Sequence, residues 1–306
     1  MNRVLVTGLI HGLDLVGGSA VQLGRSLRER WARWSGFTSE VIRVGHHHIH
    51  HWHGGDGPTV LLIHGFGAGG LPTWLPVARQ LARTHRVIIP DLLWFGGSTS
   101  DAEPSLDTQA EAIRALIDHC VSADESVHIV GSSYGGFVAL RYGSLAPSRQ
   151  GRLVILGSPG PFFGMADQAA LLERFGVDAL EEIFVPSRPE DVETLIGLAY
   201  HHPPPLPAPL LRDLYTHVFS AHNEEKTALL KELEREHDRY HAMTLATYAG
   251  AMVIWGAHDR VFPAANGKAL AAHLNAEYRV IDDTSHAPHL ERPNAVTPLL
   301  SAFLSP

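Results

Sequence analysis

One stretch of nine residues, HIVGSSYGG (residues 128–136), most constrains what this chain can fold into. It joins an apolar run, SVHIVGSS (126–133), which predicts a buried strand, to a segment that predicts a helix over Tyr134–Leu145. The pattern G-x-S-x-G between a strand and a helix places its serine on a sharp turn with strained backbone angles. The stretch therefore predicts that the Ser133 hydroxyl projects beyond the end of a strand, where it could act as a nucleophile.

The glycines of this motif have a steric role. A strand and a helix that meet at so tight a turn approach closely, so the positions two residues before and after the nucleophile must be small. Gly131 and Gly135 meet this need around Ser133, whereas Ser132, the competing serine, has no such pair. An ordinary Gly/Ser-rich turn is the alternative interpretation.

A serine hydroxyl is a weak nucleophile until a base removes its proton, so a base and an orienting acid are expected elsewhere in the chain. Asp259 follows the apolar run AMVIWG (251–256), and His286 follows the next apolar run, YRVIDD (278–283). The chain order Ser133, Asp259, His286 is the order of catalytic residues in one known class of serine hydrolases. We predict that these three residues form the catalytic triad.

Three nearby residues compete for the same roles. Asp282 and Asp283 lie at the end of a predicted strand, too early to reach behind an imidazole, and are interpreted as strand-end or turn residues. His289 is the rival base, but it lies at a predicted helix start, and the position of His286 in a short loop favours His286.

A glycine-rich loop, IHGFGAGG (63–70), follows another apolar strand. Backbone N–H groups in such a loop can bind a developing negative charge, and one donor contributes about 3–4 kcal/mol to transition-state stabilisation. We predict that the N–H groups of Phe66 and Tyr134 form this oxyanion hole. A flexible turn is the alternative, and a phosphate loop is disfavoured because the expected lysine is missing.

The order of predicted elements indicates an α/β fold with a mostly parallel central sheet and helices on both faces. No convincing buried strand occurs in residues 161–245, which contain helical patterns separated by the stiff segment HHPPPLPAP (201–209). We therefore predict an N-terminal extension with an amphipathic helix, a core in two parts and a helical cap, with the bounds 1–40, 41–160 plus 246–306, and 161–245.

The motifs HGFG, GSSYGG, WGAHD and SHAPHLERP, in this order and spacing, resemble those of the α/β-hydrolase superfamily over about residues 41–306. The loop PDLLWFGGS (90–98) resembles a family loop, except that Trp94 stands where glycine is usual. The cap and the apolar N-terminal stretch look most like monoacylglycerol lipase-type hydrolases and bacterial lipases and esterases. A serine at the elbow disfavours dehalogenases and epoxide hydrolases, which use aspartate there.

This resemblance implies the hydrolysis of carboxylic esters through an acyl-enzyme on Ser133. The expected substrates are esters with short or medium acyl chains, or monoacylglycerols. Such a reaction needs no metal and no organic cofactor. The acyl group is expected beneath the cap, with Phe162, Phe163 and Leu198 as lining residues or, equally, as residues of the cap's own core. Two alternatives stay open: a carbon–carbon bond hydrolase of the same fold, and a slow-turnover ligand receptor.

Composition limits the partners and the location. The formal net charge of −8 disfavours nucleic acid, so a small-molecule or lipid ester is the expected partner. The single cysteine, Cys120, fits a reducing, cytoplasmic compartment. Residues 4–23 are mostly apolar, but they include a charged residue, Asp14, and several glycines, which disfavour a membrane-spanning helix. The following RSLRERWARW predicts an amphipathic helix, packed on the protein or in peripheral contact with a membrane.

Six histidines lie in GHHHIHHWHGG (residues 45–55), just before the glycine-rich loop. Strand alternation places Ile49 and His51 on one face, and His48 and His50 on the other. Histidines two residues apart on a strand lie about 6–7 Å from each other, too far to share one ion unless another segment contributes a ligand. The prediction is a solvated strand with no functional metal site.

Overall fold

The computed structural model describes residues 19–305, and its centre is a nine-stranded sheet. Eight strands follow the order β1-β2-β4-β3-β6-β7-β8-β9, and the short β5 pairs with β2. The pairs β1–β2 and β2–β4 are antiparallel. The remaining neighbours in this order, from β4 and β3 through β6, β7 and β8 to β9, pair in parallel. The strands are β1 Thr38–Val44, β2 His47–Gly54, β3 Thr59–Ile63, β4 Arg86–Pro90, β5 Thr99–Ser100, β6 Val127–Ser132, β7 Gln150–Leu156, β8 Gly250–Gly256 and β9 Glu277–Ile281.

Helices cover both faces of the sheet, as the sequence predicted. In chain order they are α1 Ala20–Trp34, α2 Gly70–Leu81, α3 Leu106–Cys120, α4 Tyr134–Leu145, α5 Met165–Phe175, α6 Leu180–Phe184, α7 Pro189–Ala199, α8 Ala208–Leu214, α9 Asn223–Arg235, α10 His237–His241, α11 Ala264–His273, α12 Pro288–Glu291 and α13 Pro293–Leu304. A π-helical turn, Tyr215–Phe219, follows α8. The mostly parallel α/β architecture is confirmed.

Strand alternation divides the core into two layers. On β3, Leu61 and Ile63 face a cluster that includes α3 and α4, while Val60 and Leu62 face a cluster that includes α2 and α13. All five residues of β3 are buried, which a strand with helices on both faces requires. The sheet is therefore rigid beneath the loops that follow its parallel strands, and the site is built on these loops.

The chain between β7 and β8 is helical. Within the described chain, residues 161–245 form α5 to α10 and contain no strand, and we call them the helical insertion. The sequence pattern NEEKTALLKELEREHDRYHAM suggested one helical piece, but α9 ends at Arg235 and α10 begins at His237. The break occurs at Glu236, whose backbone lies outside the α-helical region with φ −94° and ψ 14°.

The histidine-rich strand β2 is solvated only in part, so the prediction was wrong for His51: His48 is exposed, but Ile49 and His51 are buried. β2 lies between β1 and β4, so it is an inner strand, and the His51 side chain is fully buried. Burial, with a smaller effect of His53, lowers the pKa of His51 to about 4. His50 Nδ1 lies 2.8 Å from an Asp91 carboxylate oxygen, so the His50 side chain also makes a hydrogen bond inside the protein.

In the loop after β4, Trp94 stands where the family pattern usually has glycine. Trp94 has φ 67°, in the left-handed region, and its side chain is 1% exposed. The indole Nε1–H donates to the carbonyl of Ser100 at 3.3 Å. Burial of the ring in the core thus compensates for a backbone conformation that glycine adopts at lower cost.

The N-terminal helix α1 is amphipathic, and its orientation is informative. Ala32 is buried against the protein, whereas Leu23, Leu27, Trp31 and Trp34 form one helical stripe that faces solvent. Trp34 is 81% exposed. In residues 19–305 no helix is both long and apolar enough to cross a membrane. The predicted apolar stretch 4–23 lies mostly outside the described residues.

Candidate active site

Ser133 stands at the junction of β6 and α4 with a strained backbone. Its φ of 52° and ψ of −123° lie outside the ordinary regions for a residue with a side chain. A Cβ at Gly131 would lie 2.5 Å from the carbonyl oxygen of Gly135, and one at Gly135 would lie 2.4 Å from that of His64. The close approach that the motif predicted is therefore the reason for both glycines. Ser132 lies in β6, where it is 4% exposed.

The structure brings the three predicted catalytic residues together. His286 Nε2 lies 2.8 Å from Ser133 Oγ, and His286 Nδ1 lies 3.2 and 3.1 Å from the two carboxylate oxygens of Asp259. With Nδ1–H donating to the carboxylate, Nε2 is free to accept the Ser133 proton. This geometry suits a nucleophile, a base and an orienting acid.

Backbone N–H groups hold the Asp259 carboxylate in place. The Asp259 side chain is 2% exposed, and its Oδ1 accepts hydrogen bonds from the N–H groups of Val261 at 2.8 Å and Phe262 at 3.1 Å. Because these donors lie on the short loop after β8, the carboxylate is fixed relative to the end of the sheet. Its position is therefore set by the local backbone, not by the helical insertion.

The competing residues lie elsewhere. Asp283 occupies the turn after β9 with φ 52° and pairs with Arg292 at 3.0 Å, and Asp282 is exposed beside it. His289 is buried and stacked on Trp74, with ring centroids 4.4 Å apart. Burial lowers the pKa of His289 to about 3, so its imidazole is neutral. None of the three makes a hydrogen bond with Ser133.

The glycine-rich loop after β3 borders Ser133. A Cβ at Gly65 would lie 2.7 Å from Ser133 Cβ, so the loop and the nucleophile are in direct contact. Among the hydrogen bonds of residues 19–305, none uses the N–H of Phe66 or of Tyr134, the two predicted oxyanion donors. Tyr134 is the first residue of α4, where backbone N–H groups have no intrahelical partner.

Buried polar groups anchor this loop at both ends. His64 donates from Nδ1 to the Gly65 carbonyl at 2.7 Å and accepts the Leu92 N–H at Nε2, 2.9 Å away. Burial lowers the pKa of His64, in agreement with a neutral ring that both donates and accepts. At the other end, Asp91 Oδ1 accepts the N–H of Gly70 at 2.7 Å.

Ser133 opens into a cavity of about 770 Å³, open space at its mouth included, between the sheet edge and the helical insertion. Its lining is mostly apolar and aromatic: Phe66, Tyr134, Phe137, Gly160, Pro161, Phe163, Leu171, Leu180, Phe184, Leu230, Leu233, Tyr240 and Phe262. Such a cavity suits an apolar acyl group.

The structure places the three residues that were expected under the cap differently. Phe163 lines the cavity, but Phe162 and Leu198 do not. Phe162 ends a 3₁₀ turn and packs beside His273, with ring centroids 5.5 Å apart. Leu198 is buried in the core, on α7. Neighbouring residues of a turn point in different directions, so Phe163 faces the cavity while Phe162 faces α11.

Four polar residues, which the sequence did not single out, line the same cavity: Gln168, Glu234, His237 and His241. Gln168 Nε2–H donates to Glu234 Oε1 at 2.6 Å, and His237 Nε2 lies 3.2 Å from the carbonyl of Phe163. Burial raises the pKa of Glu234. The only sequence signal was the polar spacing along α9 and α10, which also fits a solvated helix face.

The end of α7, in the helical insertion, is hydrogen-bonded to the loop that carries His286. The carbonyls at the end of α7 accept hydrogen bonds: Leu198 from Ser285 Oγ at 2.8 Å, and Ala199 from the N–H of Ala287 at 3.0 Å. Glu291 bridges the N–H groups of Ser285 at 2.6 Å and His201 at 2.7 Å. The end of α7 and the His286 loop therefore form one hydrogen-bonded unit.

Comparison with known proteins agrees with this fold. The family model described as alpha/beta hydrolase fold matches residues 58–293, and the chain belongs to that family. The serine at a strand–helix turn, the order of the three residues and the mostly parallel sheet are typical of its members.

Individual relatives give more detail. The chain is 27% identical to human monoacylglycerol lipase ABHD6 over 259 residues, which cover 82% of this chain and 76% of the relative. Among solved structures, a bacterial membrane phospholipase A described as a virulence factor superposes with a TM-score of 0.75 and 25% identity, covering 99% of this chain and 98% of that one. A putative lipase from Acinetobacter baumannii AYE has a TM-score of 0.78 and 25% identity, covering 92% and 95%.

Proposed function

We propose that this protein is a carboxylic ester hydrolase that acts through an acyl-enzyme on Ser133. The observation that carries the proposal is the continuous hydrogen-bonded series from Ser133 Oγ through His286 to Asp259, at the mouth of an apolar cavity. The lipases among its relatives support the same reaction class.

In the first half of the reaction, His286 Nε2 accepts the Ser133 proton while Oγ attacks the ester carbonyl. The oxygen that becomes negative is bound by the N–H groups of Phe66 and Tyr134, and Asp259 stabilises the imidazolium. His286 then protonates the leaving alcohol. In the second half, His286 activates a water molecule, which attacks the acyl-enzyme and releases the carboxylic acid.

The substrate class follows from the cavity, over which we propose that the helical insertion acts as a cap. Its apolar walls favour an acyl chain of medium or greater length over a short polar acid. Among the described residues that line the cavity, none is a lysine or an arginine, so an anionic substrate would have no cationic partner there apart from a protonated histidine. We propose a neutral lipid ester, such as a monoacylglycerol, with its alcohol near Gln168 and Glu234.

The test is hydrolysis of p-nitrophenyl esters from acetyl to palmitoyl and of monoacylglycerols, by wild type and by Ser133→Ala. The expected result is turnover that increases towards medium or longer chains and is abolished in the variant. If the folded wild-type protein is inactive on every ester but cleaves a carbon–carbon bond in a vinylogous diketone, the ester proposal is wrong. Ligand binding without turnover of either substrate would support a receptor.

We also propose that α1 binds a lipid surface in which such substrates reside. The stripe of Leu23, Leu27, Trp31 and Trp34 faces solvent, and the exposed Arg30 lies beside it on the helix. Arg33 instead packs its guanidinium over the Trp52 ring at 5.0 Å. Aromatic and leucine side chains beside arginine are typical of interfacial helices, because the apolar groups enter the acyl region while the cations contact anionic headgroups.

Liposome flotation tests this second proposal. With vesicles that contain anionic lipid, Leu27→Ser with Trp34→Ser should reduce the bound fraction strongly. The control is Val280→Ser, which removes an equally exposed apolar side chain (50%) from β9, at the opposite edge of the sheet. Equal binding of the α1 variant and the wild type would disprove the proposal.

A further inference from the structure

Three ligating side chains meet on the edge strand β1 and its neighbour β2. They are Glu40 on β1 and His51 and His53 on β2, and one ligand atom of each lies within 4.8 Å of the others. Glu40 and His51 are direct register partners in the β1–β2 pair. The cluster therefore rests on paired backbone and does not depend on a loop.

The distances in this cluster suit a metal ion better than hydrogen bonds. Glu40 Oε2 lies 4.0 Å from His51 Nε2 and 3.8 Å from His53 Nε2, too far for a hydrogen bond. Ligands about 2.0–2.1 Å from a tetrahedral zinc ion are separated by roughly 3.4 Å. A shift of about half an ångström would bring Glu40 Oε2 to that separation from both imidazole nitrogens. The ligand atoms of His51 and His53 lie within 4.8 Å of each other, and the exposed Glu40 and half-buried His53 side chains can adjust to close the rest of the gap.

His51 is the unusual member, because its side chain is fully buried. Its Nε2 contacts only a weak donor, the Cys120 Sγ, at 3.7 Å. A buried imidazole without a strong partner destabilises a fold, so the position demands an explanation. A cation between His51, His53 and Glu40 would give this nitrogen a strong partner, and the neighbouring sulfur adds a soft atom that transition metals favour.

The other strand histidines do not share this arrangement. His47 pairs with Ser100, and His50 bonds Asp91 and Ser39. His46 and His48 are exposed. Strand spacing alone predicted no metal site, because alternate histidines on one strand are too far apart to bind the same ion unless another segment contributes a ligand. In the folded chain, Glu40 on the paired strand is that contribution.

We propose that Glu40, His51 and His53 bind one divalent first-row transition-metal ion, with zinc as the best match to two imidazoles and one carboxylate. The ion would tie the edge strand β1 to β2. This site involves none of Ser133, Asp259 and His286, so its role is in the stability of the sheet edge, and it is independent of the proposed hydrolysis.

Zinc binding to protein prepared without an affinity tag tests the proposal. Metal is removed with a chelator, and Zn²⁺ stoichiometry and affinity are measured by equilibrium dialysis. Wild type is expected to bind one tight equivalent, and Glu40→Gln and His53→Gln are each expected to weaken that site by at least tenfold. Both replaced residues are partly exposed, so circular dichroism should show unchanged folding.

The matched control is the double variant His46→Gln with His48→Gln, which removes two exposed histidines from the same stretch and leaves the cluster intact. Its zinc affinity should equal that of wild type. If this control loses affinity as much as Glu40→Gln does, or if Glu40→Gln binds like wild type, zinc is held by the histidine-rich stretch in general and the proposal is overturned. Failure of wild type to bind one equivalent overturns it as well.

A second readout is thermal. A ligand that binds the folded state raises its melting temperature by mass action. Zinc should therefore raise the Tm of the wild type and of the double control by more than it raises that of Glu40→Gln at the same zinc concentration. An equal rise in all three proteins contradicts the assignment.

Discussion

A side chain at Gly65 would collide with the nucleophile: an added Cβ lies 2.7 Å from Ser133 Cβ and 3.3 Å from its Oγ. Gly65→Ala should therefore displace Ser133 from His286 and reduce kcat/KM on the order of 10²-fold, as expected for a misplacement of about 1 Å. The control is Gly67→Ala in the same loop, where an added Cβ meets nothing within 4 Å. Ester hydrolysis by the two variants is compared, and equal activity would contradict the contact.

In the proposed mechanism the Asp259 carboxylate, 3.1 Å from His286 Nδ1, orients the imidazole, so its removal should impair the chemistry more than substrate binding. Asp259→Asn is expected to lower kcat about 10⁴-fold, because an amide no longer holds the required tautomer. Asp283→Asn, which changes an exposed carboxylate in the turn after β9, should leave kcat unchanged. Steady-state kinetics on one medium-chain ester would show both effects. A small loss in Asp259→Asn would mean that another residue orients the imidazole.

The apolar wall of the cavity should set the acyl chain length. Leu233 lines the cavity, so Leu233→Trp is expected to reduce turnover of long-chain esters while short-chain esters are cleaved normally. Leu172→Trp enlarges a partly buried leucine on the neighbouring helix α5 that does not line the cavity. The measurement is the chain-length profile of p-nitrophenyl esters. Parallel losses at every length would indicate general damage to the helical insertion.

Lys226 should make the free energy of unfolding depend on pH in the alkaline range. It is 5% exposed, donates to the carbonyls of Phe219 at 3.2 Å and Ala221 at 2.6 Å, and has its pKa lowered by burial to about 8. Since the ordinary value is 10.5, the unfolded chain binds more protons between pH 8 and 10.5, and this lysine's contribution to stability rises with pH in that window.

The measurement is urea unfolding of wild type and Lys226→Met at pH 7 and pH 10. The free energy of unfolding of wild type relative to the variant should increase between the two pH values, by up to about 1.4 kcal/mol per pH unit. Lys231→Met removes a lysine on the same helix that is 61% exposed, and it should show no such change. A relative stability that falls with pH would contradict the lowered pKa.

The fold and the triad geometry followed from local rules. Ser133, Asp259 and His286 each come just after an apolar strand, and in a parallel sheet the ends of such strands meet at one edge, so linear order was enough to bring them together. The direction of a side chain in an irregular segment follows no such rule. Phe162 and Phe163 could not be separated until the turn that carries them was known.

Burial of the histidine strand also depended on information that β2 itself does not contain. Alternation assigned His51 to a face, but whether that face is wet depends on which helix covers it. In the fold, α3 packs on this part of the sheet, and Cys120 at its end lies 3.7 Å from His51 Nε2. The same limit applies to α1, whose amphipathic pattern was clear while its orientation was not.

The hydrogen bonds from Ser285 and Ala287 to the end of α7 have a consequence for how substrate reaches Ser133. Any swing of α7 would break contacts that hold the His286 loop, and the proton acceptor would move with it. α7 is therefore expected to stay fixed relative to the His286 loop. Among the described residues, the other helices around the cavity, α5, α6, α9 and α10, make no such hydrogen bonds to the His286 loop, so a movement of theirs that admits the proposed substrate would leave His286 in place.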